Sequence, residues 1–189
     1  MNTFLNDLKR AVDECAKTLR KNVVSENLER RNREQRQEAQ FVSEVYHSLR
    51  NNGYESKSLF MEISYPTVEI EGGKKISRPD LVFESEGYEH IVEFTVFWEG
   101  DIEDNPSKIN EDQKEKTIKD YYERMLLYSL MQDKKIKSIY LVFAYLGPSK
   151  MDNGIVFNTK EFDKSISDYI LELKSREKES KVPMEIIIA

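Results

Sequence analysis

The sequence is poor in the residues that staple or metallate small proteins. Cys15 is its only cysteine, and His47 and His90 are its only histidines. An intramolecular disulfide is therefore impossible, and a cysteine-rich zinc site is excluded. No apolar run approaches the roughly 18 residues of a membrane span, so no membrane partner is expected. Met1–Lys9 lacks the charged and then apolar pattern of a secretory leader, and a soluble, cytoplasmic protein is expected. The seven glycines form no phosphate-cradling loop, and no Ser/His/Asp or deaminase pattern is present.

Charge is plentiful. Charged residues make up 34% of the 189, against 39% hydrophobic, and the net charge is −6. The apolar residues cluster, which argues for a folded chain. This length predicts one domain, able to fold without a metal or disulfide because roughly 70% of its unfolded surface is buried. The charge is unevenly spread. Residues 38–100 hold five basic and twelve acidic side chains, whereas residues 1–37 hold nine basic and six acidic. A concentrated acidic centre is either a solvated surface or a cation site.

Periodicity outlines an α/β protein. Phe4, Leu5, Leu8, Ala11, Val12, Cys15, Ala16 and Leu19 form a helical stripe over residues 4–23. Residues 26–37 are almost wholly polar and read as a solvated helix or a linker. A second helix over 38–51 carries Ala39, Val42, Val45, Tyr46 and Leu49, and Gly53 ends it. Strand patterns follow at Ser58–Ser64, Thr67–Ile70, Arg78–Glu84 and Tyr88–Trp98, then at Lys137–Tyr145 and Met184–Ile188. Tyr88–Trp98 and Lys137–Tyr145 are apolar on both faces, as central strands covered by helices are. Helices are expected over 108–132, with Ser107 as N-cap, and over Glu161–Lys174. The predicted fold is a central mixed β-sheet flanked by helices. Residues 1–34 are expected to form a helical arm and 35–189 the main domain.

Two acids stand out. Asp80 lies in Arg78-Pro79-Asp80-Leu81-Val82-Phe83, and Glu93 in His90-Ile91-Val92-Glu93-Phe94-Thr95-Val96. A three-residue turn, Ser85-Glu86-Gly87, makes the two strands a hairpin in which the acids can meet. A carboxylate among Leu, Val, Ile and Phe is costly to desolvate unless a partner neutralises it. That partner is either a nearby Arg or Lys or a divalent cation. His47 and His90 read as surface or packing residues.

Pro79-Asp80, followed thirteen residues later by Glu93-Phe94-Thr95, resembles the PD-(D/E)xK nuclease superfamily, with its restriction-endonuclease-like fold. The resemblance covers roughly residues 35–145 and implies an αβββαβ core with an N-terminal helical extension. It implies that Asp80, Glu93 and the Phe94 carbonyl bind Mg²⁺ or Mn²⁺, and that the metal activates the water that hydrolyses a phosphodiester. The first core helix of such nucleases often adds an acid. Glu38 lies one turn before Val42 on the apolar stripe, whereas Glu44 lies about 200° from Val42, towards solvent. Glu38 is therefore the expected fourth ligand. The family lysine should stand at 95, where this chain has threonine, which cannot supply a positive charge. Some members place the lysine on the following helix, where Lys114, one helical turn before Ile118, is the first candidate. Thr117 and Tyr121 fall where related nucleases often carry a Gln-x-x-x-Tyr pair.

The implied partner is nucleic acid, DNA ahead of RNA. Lys74, Lys75 and Arg78, or Arg30, Arg31, Arg33 and Arg36, are candidate phosphate contacts, and Trp98 a candidate groove residue. The apolar stripe of the first helix would either form a homodimer or pack on its own core. Thr95 and the acidic charge keep two other readings open. One is an inactive domain of this fold that binds nucleic acid or protein, and the other is an α/β domain whose acids are structural.

Overall fold

The computed structural model describes residues 3–22, 30–62, 68–70, 73–75, 78–97, 114–129, 135–147, 158–176 and 181–189. Helices α1 (Thr3–Asn22) and α2 (Arg30–Asn51) come first. Strand β1 (Leu59–Met61) follows, then a separate antiparallel pair, β2 (Val68–Ile70) and β3 (Gly73–Lys75), and then β4 (Leu81–Ser85) and β5 (Tyr88–Phe97). A π-helical turn, Lys114–Ile118, leads into α3 (Lys119–Ser129). Strand β6 (Ile136–Tyr145), α4 (Thr159–Arg176) and β7 (Met184–Ile188) complete the described elements.

The main sheet has five strands in the order β1-β4-β5-β6-β7. Its first two pairings are antiparallel and its last two parallel, so it is a mixed sheet, as expected. With the β2–β3 pair set aside, α2-β1-β4-β5-α3-β6 reproduces the expected αβββαβ order.

Helices cover both faces. Alternate residues of a strand point to opposite sides, and the core divides accordingly. Val92, Phe94, Tyr140 and Val142 face α1 and α2. Ile91, Phe97, Leu141 and Phe143 face α3 and α4. The connections β5-α3-β6 and β6-α4-β7 step across the sheet in the same direction, and crossovers of one hand then put both helices on one face.

The α1 stripe packs on its own sheet. Leu8, Ala11, Val12, Ala16 and Leu19 are buried with Val45, Leu49 and Tyr140 in one apolar cluster. The expected boundary between residues 34 and 35 falls inside α2, and the first helix belongs to the same core as the strands. The polar stretch 30–37 continues α2 as helix. Asn158 caps α4 by accepting a hydrogen bond from the Lys160 N–H at 3.1 Å, which starts that helix two residues earlier than periodicity alone indicates.

The hairpin turn also differs from expectation. Glu86 (φ 55°) and Gly87 (φ 76°) form a two-residue turn between Ser85 and Tyr88. Both residues are left-handed, as in the type I′ turn that suits the twist of antiparallel strands.

Leu8 is fully buried between the helices and the sheet. Leu8→Ala is expected to cost about 2–5 kcal/mol of stability, measured by urea denaturation. A loss below about 1 kcal/mol would contradict the packing of α1 into the core.

Candidate functional site

The β4–β5 register pairs Leu81 with Val92. One step further along the same register, Asp80 stands opposite Glu93 and Pro79 opposite Phe94. Proline has no N–H to donate, so the ladder cannot continue at Pro79. The Phe94 N–H turns instead to the Asp80 side chain, donating to Oδ2 at 2.7 Å. The Phe94 carbonyl points to the same side of the strand as its N–H, and it receives no hydrogen bond from Pro79. The proline thus ends the sheet beside the acids and leaves a backbone oxygen at the same edge.

Glu93 lies on the face of β5 covered by α3 and has no solvent exposure. The Tyr128 hydroxyl donates to its Oε1 at 2.5 Å. The Arg124 guanidinium stands 3.5 Å from its Oε2, an ion pair too long to be a good hydrogen bond. Burial, followed by the negative charge of Asp80, pushes the Glu93 carboxyl up to about 8. Burial also raises Asp80, against the Phe94 N–H and Arg124, which favour its ionised form. The two carboxyls therefore keep a proton between them at neutral pH.

Glu38 and Asp80 are coupled electrostatically. Burial raises the Glu38 carboxyl, and the Asp80 charge adds to that. One turn beyond Glu38, the Phe41 ring packs edge-on against Phe94 at 5.6 Å, which holds this end of α2 over the strand that carries Glu93. Glu44 points elsewhere and accepts a hydrogen bond from Gln40.

Lys114 opens the π-helical turn, and its side chain lies outside the described residues. Lys116 is exposed, and Lys119 pairs with Glu123 on the helix surface. Trp98, Ser107 and the predicted start of the helix at 108–113 lie outside the described residues. So do the side chains of Arg30, Arg31, Arg33, Arg36, Lys74, Lys75 and Tyr121. His90 is a core residue, its Nδ1 2.6 Å from Ser138 Oγ and its ring stacked on Tyr140.

Three residues near the acids were not predicted. Arg124 and Tyr128 form an i,i+4 pair that reaches Glu93, seven residues beyond the pair predicted at Thr117 and Tyr121. The signal for Tyr128 was its place three residues after Met125 on the buried stripe. Glu62 is the third. It adds its charge to the field at Asp80, and its N–H donates to the Asp80 carbonyl at 3.2 Å. Only the pairing of β1 with β4 brings it there.

The donor set suits a hard cation. Among the described residues no three His, Cys, Asp or Glu side chains gather closely enough to hold an ion between them. Mg²⁺ needs fewer, since it is commonly held by one or two carboxylates with waters and substrate phosphates. Thr95 Oγ1 is buried and has no hydrogen-bond partner among the described residues. Glu93 and Asp80 share a side-chain hydrogen bond. Thr95 is two residues from Glu93, on the same face of β5. A buried hydroxyl beside an acid pair fits a cation with its water. Asp80, Glu93 and the Phe94 carbonyl would hold the cation, with Glu38 close enough to feel the Asp80 charge.

The raised carboxyls have a consequence for stability. Glu93 keeps its proton in the folded protein up to about pH 8 and loses it near pH 4.5 when unfolded. The folded state therefore binds more protons over this range, and stability should fall as pH rises through it. Asp80 and Glu38 act in the same direction. Thermal melts of metal-free protein should show the melting temperature dropping between pH 5 and pH 8. Glu93→Gln should flatten the profile and melt higher than wild type at pH 8.

No protein-family model matches the chain, and no curated protein sequence matches it. Among solved structures, the small subunit of a heterodimeric restriction endonuclease is similar to it, with a TM-score of 0.35 and 10% identity over 92% of this chain and 100% of that chain.

Proposed function

We propose that the protein is a metal-dependent nuclease of the PD-(D/E)xK type that hydrolyses phosphodiester bonds of nucleic acid, DNA ahead of RNA. The observation that carries this reading is the pair of acids Asp80 and Glu93, held in apolar surroundings at the end of the β4–β5 ladder, beside a buried Thr95 hydroxyl with no hydrogen-bond partner among the described residues.

Mg²⁺ or Mn²⁺ would supply Lewis-acid activation of water and offset charge on the leaving oxygen. The residues prepare the site for it. Asp80 is oriented by the Phe94 N–H, and Glu93 by the Tyr128 hydroxyl. Glu93 would hold the cation in its ionised form, because ligation favours the carboxylate over the acid. In the hydrolysis the water oxygen bonds to phosphorus and the bond to the leaving ester oxygen breaks. The proton lost by water passes to solvent, and the leaving oxygen takes one up. Glu38 and Glu62 keep the mouth of the site acidic, which draws in divalent cations before the polyanion.

Threonine at position 95 in place of a lysine, with the net charge of −6, favours a second reading, a domain of this fold that binds without cutting. Calorimetric titration of Mn²⁺ into wild type and Asp80→Ala, with plasmid nicking on the same samples, separates the two. The nuclease reading expects binding and nicking in wild type and loss of both in Asp80→Ala. It also expects Mn²⁺ affinity to rise from pH 6 to pH 8, with proton release on binding. Mn²⁺ binding without nicking would favour the non-cutting domain, and no binding would remove the metal site.

A further inference from the structure

Resting on the nuclease reading, we infer that the β2–β3 hairpin and Arg78 at its foot form an arm that holds a DNA duplex beside the acids, with Arg78 on a backbone phosphate next to the scissile one. An acidic site that must take in a polyanion needs positive charge on its approach. Between Ser58 and Gly100 the chain has nine Asp and Glu but only three Lys and Arg, namely Lys74, Lys75 and Arg78. All three fall between Gly73 and Asp80, on the limb of the hairpin that returns to the site.

The arm is rooted at the acids. The chain leaves the main sheet at Glu62, just after β1, where the Glu62 N–H donates to the Asp80 carbonyl. It returns at Arg78, two residues before Asp80. Pro79 between them is buried, and a proline fixes its own φ and keeps the preceding residue extended. Two residues of chain place the Arg78 Cα within about 7 Å of the Asp80 Cα. Arg78 is exposed and makes no ion pair or hydrogen bond with the described residues. Arg124, by contrast, is engaged by Glu93. The Arg78 guanidinium is thus open to a phosphate, which its planar fork suits.

The hairpin itself lacks a sheet to join. β2 and β3 pair with each other, Val68 with Lys75 and Ile70 with Gly73, and with no other described strand. A two-stranded ribbon by itself is at best marginally stable in water. The major groove of B-DNA, about 12 Å wide, admits such a ribbon, whereas the deep, narrow groove of an RNA duplex does not. Lys75 is five residues from Asp80, so their Cα atoms lie within about 18 Å of each other. That is about half a helical turn of DNA, so the ribbon can enter the groove beside a phosphate held at the acids.

The test uses the full chain. Fluorescence anisotropy follows a DNA duplex and an RNA duplex of the same sequence, in EDTA at several salt concentrations. The proteins are wild type, Arg78→Gln, the double variant Lys74→Gln/Lys75→Gln and, as a control for lost charge, Lys17→Gln, at an exposed α1 position paired with Asp13. Plasmid nicking and Mn²⁺ titration are run on the same proteins and on Asp80→Ala. Arg78→Gln should weaken DNA binding by about 3–10-fold and lower the salt slope by about one, and the lysine variant should lower the slope by about two. The KM for plasmid should rise by the same factor as the loss of binding, while Mn²⁺ binds no more weakly than to wild type. Damage to the fold would not separate substrate from metal in this way. Wild type should prefer the DNA duplex to the RNA duplex, and the lysine variant should lose that preference. If Arg78→Gln and the lysine variant match Lys17→Gln in affinity, salt slope and KM while Asp80→Ala is inactive, this inference falls and the nuclease reading stands. A wild type that neither binds Mn²⁺ nor nicks overturns both.

Discussion

The carboxyl group of Glu93 sits in a fully buried layer between a β-sheet and a helix. An isolated carboxylate there would be prohibitively costly, so its neighbours must supply hydrogen bonds, opposite charge or a proton. All three are present. The Tyr128 hydroxyl gives the hydrogen bond, Arg124 stands at ion-pair distance, and the proton is held with Asp80. These arrangements are only partly sufficient. The Arg124 contact is long, and the acid pair remains coupled. The same incompleteness gives the protein its expected sensitivity to pH.

The fold puts these groups together through simple geometric rules. A strand covered on both faces sends alternate side chains into different layers. Glu93 and Thr95 therefore enter the layer of α3, while Phe94 enters the layer of α2 and meets Phe41. Pro79 stops the β4–β5 ladder where Asp80 begins, which releases the Phe94 N–H to orient a side chain. The two-residue turn at Glu86-Gly87 sets the register that makes Asp80 and Glu93 direct neighbours. A one-residue shift would send one of them to the opposite face. The acids are thus aligned by turn chemistry at one end of the hairpin and by a proline at the other.

Much of this was already legible in the sequence. Apolar period marked α1, the second half of α2 and α4, and continuous apolar runs marked β5 and β6 as central strands, because burial imposes those patterns locally. Asp80 and Glu93 were identifiable because a charged residue in an apolar strand is conspicuous in one dimension. Helix phase separated Glu38 from Glu44 for the same reason: a regular helix converts sequence spacing into angle. The helix after β5 was legible as an element, since Lys119–Ser129 falls inside the expected 108–132, and the Lys114 side chain lies outside the described residues.

Arg124, Tyr128 and Glu62 show where local patterns end. Nothing within ten residues of Arg124 or Tyr128 marks them as partners of an acid on β5, since their encounter depends on how the β5-α3-β6 crossover lays α3 on the sheet. Glu62 comes near Asp80 because β1 pairs with β4 and not with the nearer β2–β3 segment. The fate of the α1 stripe was likewise open, as an amphipathic helix looks the same whether its apolar face meets a second copy or its own sheet. Local periodicity records which faces must be buried, and so the chain alone prescribes the elements and the pair of misplaced acids. Which surfaces bury one another is a long-range choice, settled by packing and strand order, and it alone supplied the groups that surround those acids.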